Sequence, residues 1–367
     1  MFRTEKFQCY RLHTMTLLTY LLNLPHHLDL SLESYFNLSG QDREQYRDDI
    51  LRHFPLLYCA GLNWQDRLQD RVKLQDDFTV RDLVLQLFKT SAYQMLDSIQ
   101  LMFNTSEDGY CYHFEPSDNS EFSLATAELC MFGLPGIAEH LLQQNNDVSA
   151  LEAKLKPCNN HIKYFDCTED VEGTPLQIAS MMVDTDFVEL LLRYGPNPNA
   201  RCGSWTVLTL ALRNRNDPYY DEGYRRVIEC LLKEGASVKP EALCKTPLQI
   251  AVERKHSSDI IQTLIDAGAD VNNVGNKEAA FDDLTERHEF ALARKDSKAT
   301  ASYFDTPLRL AESNLSKCEH RDANSRLYGR PFGSGSLSRT EAVKLCDILR
   351  HNGAVSEQRL PKDWVQN

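Results

Sequence analysis

Four times along this chain a threonine is followed five residues later by an alanine, with apolar residues between, and further on a leucine or isoleucine pair gives way to a glycine. The threonines are Thr174, Thr206, Thr246 and Thr306, and the closing glycines are Gly195, Gly235, Gly268 and Gly353. The clearest copy reads KTPLQIAVERKHSSDIIQTLIDAGADVN, from Lys245 to Asn272. Thr246 is placed to cap a helix in which Pro247, lacking an N–H, takes the first position. Leu248, Ile250 and Ala251 then share one side, a polar run from Glu253 to Ser258 turns the chain, and Ile260, Ile261, Leu264 and Ile265 form a second helical stripe. Gly268 can adopt the left-handed conformation that closes the helix, and ADVN leads away as a turn. Two helices this short cannot bury both stripes against each other alone. Copies of the pair must therefore stack, and this requirement constrains the fold more than any other feature of the sequence.

The other copies differ in their connections. GTPLQIASMMVDTDFVELLLRYGPNPN keeps the whole pattern, whereas SWTVLTLALRNRNDPYYDEGYRRVIECLLKEGASV lengthens the turn between helices with NDPYYDEG. The last begins DTPLRLA and closes AVKLCDILRHNGAV, with a long polar, glycine-rich insertion between its halves. An eroded first copy, ATAELCMFGLPGIAEHLLQQ, places Gly133 after one helix and Ile137, Leu141 and Leu142 on the next. From about Phe122 to Val355 the chain resembles an ankyrin-repeat array, whose unit is ~33 residues long. The resemblance implies an all-α fold: a helical N-terminal domain followed by a solenoid of about five helix-turn-helix repeats, atypical at both ends. The expected boundaries are 1–120 for the helical domain, 121–356 for the array, with insertions at 276–303 and 316–338, and 357–367 for a C-terminal tail. The family usually has histidine after Thr-Pro-Leu, bonding within and between repeats. Gln177, Thr209, Gln249 and Arg309 stand there in this chain, which predicts looser coupling between neighbours.

Ahead of the array, DREQYRDDILRHFPLLYCAGLNW carries Tyr46, Ile50, Leu51 and Phe54 at helical spacing up to Pro55. DFTVRDLVLQLFKTSAYQMLDSIQLMF then offers a capping box from Thr79 to Asp82 and a stripe through Val80, Leu83, Val84, Leu87 and Phe88. Between Leu17 and Phe103 the pattern LTYLL…RHFPLLYCAGLNWQDRL resembles the helical region joining the NACHT module to the ankyrin array in large fungal receptors. The phosphate-cradling GxxxxGK[ST] loop of such receptors does not occur in the sequence, so the resemblance implies a sensing half without a nucleotide.

Chemistry is weakly signalled. His288–Glu289 would need a second histidine where Leu292 stands. Cys158, His161 and Cys167, with Cys111 and His113 nearby, match no closed zinc spacing, and GRPFGSGSLS lacks both a flanking strand and a lysine. The expectation is therefore no catalytic residue, metal or cofactor. A net charge of −13 disfavours nucleic acid and anionic membrane as partners. MTLLTYLLNLP is too short to span a bilayer, and the scattered cysteines, Cys130, Cys230 and Cys346 among them, read as buried thiols of a cytoplasmic or nuclear protein.

Binding to another protein is the leading expectation. In a stacked array the apolar positions are used in packing, leaving residues just before each signature and just after its alanine for recognition on the concave face. These are Glu172, Met181, Met182, Ser204, Trp205, Arg213, Asn214, Lys245, Glu253, Arg254 and Asp305, with Trp205 and Arg213 expected at the centre. Tyr219, Tyr220 and Tyr224 could add contacts or pack locally, and NKEAAFDDLTERHEFALARKDSKATASY reads as an amphipathic helix lying along the array. Two alternatives stay open: an adaptor for ubiquitin transfer, with LLNLPHHLDLSLESYF as an imperfect F-box-like start, and an enzyme using the N-terminal helices.

Overall fold

The computed structural model describes residues 2–24, 35, 37–60, 68, 72–89, 114–116, 121–144, 151–153, 155–157, 173–202, 205–213, 221–239, 245–275, 305–328 and 338–356. They form an all-α fold with two short strand pairs, divided into two compact units, Met1–Pro175 and Leu176–Asn367.

In the first unit α1 (Phe2–Leu22) buries Leu17, Leu18 and Leu21, and α2 (Gly40–His53) ends just before Pro55. The stripe expected on α2 is only half-buried, with Tyr46 tilted against Tyr35 at 5.9 Å between ring centres. After a short α3 (Val72–Gln75), α4 (Phe78–Lys89) packs on α1 and buries Val80, Val84, Leu87 and Phe88. Its cap is not Thr79. Asp77 stands two residues earlier, and its Oδ1 accepts from the backbone N–H groups of Thr79 and Val80, both at 3.1 Å. Asp77 Oδ2 also accepts from Arg11 Nε at 2.6 Å, so one carboxylate caps α4 and pins α1 to it. Its burial would raise the carboxyl pKa, but the Arg11 guanidinium and the two N–H donors outweigh this and hold it below the ordinary range.

Strand β1 (Phe114–Pro116) pairs antiparallel with β2 (Leu155–Pro157), between which lie α5 (Glu121–Met131) and α6 (Pro135–Gln144). These are the helices of the eroded copy: Gly133 has φ 60°, and Leu129, Cys130, Ile137 and Leu142 are buried. Buried Gln75 accepts from the Gly136 N–H at 3.0 Å and donates to the Leu68 carbonyl at 3.1 Å. A β-carbon at Gly136 would sit 3.1 Å from that Gln75 oxygen, so the residue's lack of a side chain permits the approach.

The described residues of the second unit form four helix pairs in two layers. They are α7 (Pro175–Met182) with α8 (Thr185–Arg193), α9 (Val207–Arg213) with α10 (Asp221–Lys233), α11 (Pro247–Glu253) with α12 (Ser258–Asp266), and α13 (Pro307–Tyr328) with α14 (Arg339–His351). A hairpin, β3 (Arg201–Cys202) and β4 (Trp205–Thr206), leads into the second pair. First helices contact first helices, α9 with α11 and α11 with α13, while the second helices form their own row, α8, α10, α12 and α14. Of the stripes expected in the clearest copy, Leu248, Ile250, Ala251, Ile260, Ile261 and Leu264 are buried and Ile265 is half-buried, and Leu208, Leu308, Phe187, Ile228 and Leu345 are buried with them. Gly195, Gly235, Gly268 and Gly353 have φ between 77° and 91°, so each outer helix closes in the left-handed region as expected.

Three local expectations change. Helix α13 runs on to Tyr328, so the first part of the segment assigned to an insertion at 316–338 is helix. Helix α10 starts at Asp221, which shortens the loop expected before it, and Cys230 is half-buried, 3.7 Å from Glu189 Oε1, rather than fully inside. The insertion at 276–303 lies outside the described residues.

Glu341, in the first turn of α14, reaches the start of α12, where its Oε1 accepts from the Ser258 N–H at 2.8 Å. Burial would raise its pKa, but the Ser258 and Lys344 donors prevail and hold it below the ordinary range. Stability from this carboxylate is therefore present above its unfolded-state pKa and lost as pH falls through the lower folded value. Glu341→Gln should cost about 0.5–1 kcal/mol at pH 7 and progressively less as pH falls below the ordinary carboxylate range, read from urea midpoints. Leu264→Ala, at a fully buried site, should cost about 2–5 kcal/mol, and an unchanged midpoint would contradict the stacked packing.

Candidate protein-binding face

The inner helices α9, α11 and α13 carry the candidate residues at their two ends, so whatever fixes one repeat on the next also fixes the surface. Thr246 and Gln249 form a full capping box: the Gln249 N–H donates to Thr246 Oγ1 at 3.0 Å, and Gln249 Oε1 accepts from the Thr246 N–H at 2.8 Å. The same amide then reaches forward, its Nε2 donating to the Asp305 carbonyl at 2.9 Å. Gln177 Nε2 likewise donates to the Ala200 carbonyl at 2.9 Å. Glutamine thus supplies, at two of the four positions lacking histidine, the bond to the next segment whose loss was expected. At the other two the bonding is local: the Thr209 hydroxyl turns back on Thr206, and Arg309 pairs with Asp305.

A second series of links runs along the closing turns. Asn199 donates to the Gly235 carbonyl at 2.9 Å and accepts from the Ser237 N–H at 2.7 Å. Asn272 repeats this with Gly353 and Val355 at 3.1 and 2.8 Å. Lys239 occupies the equivalent place in the repeat between, and an ammonium has no acceptor with which to make the two-way bridge. That repeat is joined to the next by buried His256, whose Nε2 lies 2.7 Å from the Leu212 carbonyl and whose ring meets Tyr224 edge-on at 5.1 Å. Tyr224 therefore belongs to the core, while Tyr219 and Tyr220 lie outside the described residues.

On this frame the predicted residues fall into pairs. Trp205, half-buried in β4 opposite Cys202, has the Arg213 guanidinium over its ring at 4.5 Å. One repeat on, Lys245 Nζ lies 2.7 Å from Glu253 Oε2, the same relation between the residue before the signature and the end of its helix. In the last repeat Asp305 pairs instead with Arg309 at 3.0 Å. Burial raises the Asp305 pKa, with Arg309 and Lys245 opposing the shift. Arg254 and Met182 are exposed and Met181 is half-buried, whereas Glu172, Ser204 and Asn214 lie outside the described residues. Trp205 is not an unsupported loop tip: its strand pairing and the stacked arginine give it a structural part as well. Glutamine at the third helical position after a capping threonine signals the capping box in the sequence, whereas the forward reach of Gln249 to Asp305 has no local signal.

The ankyrin-repeat family model matches residues 173–202 and 244–276. The chain carries ankyrin repeats. Both matched segments are copies with compact turns, and the helix pairs at 207–233 and 307–351 share their two-layer packing while having longer connections. No curated protein matches the chain. Ankyrin repeats generally mediate protein–protein interaction, through the surface that their stacking leaves open. Among the described residues no helix is long and apolar enough to cross a membrane, and no three or more His, Cys, Asp or Glu side chains are grouped to hold a metal ion.

Gln249→Glu should show how far the frame depends on one amide. The carboxylate could still accept from Thr246 but would face the Asp305 carbonyl while fully buried, so about 2 kcal/mol or more should be lost at pH 7. Because the folded-state pKa of such a glutamate is raised, the loss should shrink as pH falls and the acid regains a proton to donate. Chemical denaturation at pH 7 and pH 4.5 checks both points.

Proposed function

We propose that this protein is an intracellular scaffold, cytoplasmic or nuclear, that binds a partner protein on the face formed by its inner ankyrin helices and the turns before them, with no catalytic step of its own. The supporting observation is the Trp205–Arg213 stack: a large amphipathic ring on β4 and a planar cation at the end of α9, both half-buried. Met181, Met182, Lys245, Glu253, Arg254 and Asp305 extend the face, and Glu172, Ser204 and Asn214 are assigned to it by their place in the repeat. We extend the array to 121–356, counting the helix pair α5–α6 as its first repeat, with 1–120 as a helical domain. The pattern from Leu17 to Phe103 supports kinship of that domain with the region before the array in fungal NACHT receptors.

The test is affinity capture from native lysate with the full chain against a Trp205→Ala, Arg213→Ala double variant, compared at equal folded fraction. Specific partners should be lost or weakened by the equivalent of about 2 kcal/mol if the pair is the central anchor. Undiminished capture would move the site off this face.

A further inference from the structure

We infer that the turn joining α7 to α8 is a strained hinge, held in the left-handed conformation by a valine, that opens ahead of the rest of the second unit. Val183, directly after α7, has φ 57°. Its N–H donates to the Ser180 carbonyl at 3.2 Å, and the Asp184 N–H reaches back to the Ala179 carbonyl at 3.1 Å. This paired closure of a helix end requires a left-handed residue where the chain leaves the helix. Gly133, Gly235, Gly268 and Gly353 make the same closure at other helix ends with no β-carbon to strain. For a residue branched at Cβ a positive φ is an outlier, and the strain persists only because surrounding contacts hold it.

The repeat from Lys245 to Asn272 has the same turn with a different hold. Lys255, at φ 63°, bonds the Val252 carbonyl and the His256 N–H bonds that of Ala251. Lysine is unbranched at Cβ, and buried His256 ties the turn to the preceding repeat through the Leu212 carbonyl at 2.7 Å. Asp184 stands in the place of His256, and its Oδ1 accepts from the Phe187 N–H at 3.1 Å, within its own helix. Among the described residues it makes no bond to a neighbouring repeat, and an ionised carboxylate has no proton to offer a carbonyl. Burial lifts the Asp184 pKa despite its backbone donors, so the closed turn also carries the cost of a partly desolvated carboxylate. Across from Val183, Gly223 is the third residue of α10, where a β-carbon would stand in ordinary contact with Val183 Cγ1 at 3.7 Å. The glycine leaves the half-buried valine without that contact. On opening, Val183 returns to a negative φ, and the last turn of α7 loses its closure together with the cap of α8. Met181 and Met182 stand on that turn, so opening displaces one end of the proposed face, while the strain itself is intramolecular and needs no partner.

Hydrogen exchange of the full chain, read by mass spectrometry in peptides covering 177–187 and 249–259, measures the opening at the two turns. In the parent the amides around Val183 should be about tenfold or more less protected than those around Lys255. Val183→Gly should raise protection in 177–187 about five- to tenfold and leave 249–259 unchanged. Val183→Asn, which keeps a side chain but of a type that tolerates positive φ, should do the same, so that relief of strain is separated from loss of the side chain. Gly223→Ala should act in the same direction by a smaller factor, through the contact it adds at Val183. Equal protection of the two turns in the parent, or protection in 177–187 that neither Val183 variant raises, overturns the hinge. A rise spread equally over both peptides overturns it too, since the strain would then be released only when the whole unit unfolds.

Discussion

The repeats depend on one shortage of apolar cover. A helix of seven residues beside one of nine, as in α11 and α12, has two stripes to bury and too little surface of its own to bury them with. Each pair therefore takes its missing cover from its neighbours, inner helix on inner helix and outer on outer, and stability becomes a sum of repeat and interface contributions. The left-handed glycines and the capping threonines belong to the same economy. They end and begin helices abruptly, so that the chain returns to the stacking axis once per repeat without extra length.

Polar links across the interfaces are unevenly distributed, and this unevenness gives the second unit a distinct joint. Gln177 with Asn199, and Gln249 with Asn272, connect their repeats to the following segment through both the signature and the closing turn. The repeat from Trp205 to Lys239 has threonine and lysine at those places, and among the described residues neither makes the forward bond seen elsewhere. Its connection to the following repeat runs through His256, which bonds the carbonyl after the signature alanine, Leu212 O, as Asn314 bonds the equivalent Val252 O at 3.0 Å. The joint thus keeps a buried link, the imidazole packed on Tyr224, where the next joint has buried Asn314 together with a glutamine and an exposed asparagine link. A buried link is better shielded from competing water, and the compensation is physical rather than numerical.

The candidate face inherits its geometry from the frame. Trp205 with Arg213, and Lys245 with Glu253, are both pairs in which a side chain entering an inner helix reaches along it to meet one leaving it. Helices of seven residues put those two ends about 10 Å apart, a span that only long side chains close from both sides. Short helices, imposed by the repeat, thereby determine which residue types can pair on the surface.

Much of this was legible in the sequence because it is written in short-range rules. Thr246, Pro247 and Gly268 act through their own backbone and the next few residues, so the helix limits and the buried stripes followed directly, and the all-α repeat fold with them. Asp77 in place of Thr79 as the cap of α4 was not legible, because the choice depends on Arg11, distant in sequence, holding the carboxylate from the other side. The glutamines were read as missing histidines, when their amides reach carbonyls that only stacking brings within 3 Å. Tyr224 looked the same as its tyrosine neighbours until α10 turned it onto His256. By itself the sequence determined the local conformations and the need to stack, since both arise from neighbouring residues and periodicity. Which residues bridge the repeats, and which long side chains meet on the open face, was decided only by the tertiary structure, because those contacts join atoms that the chain order keeps apart.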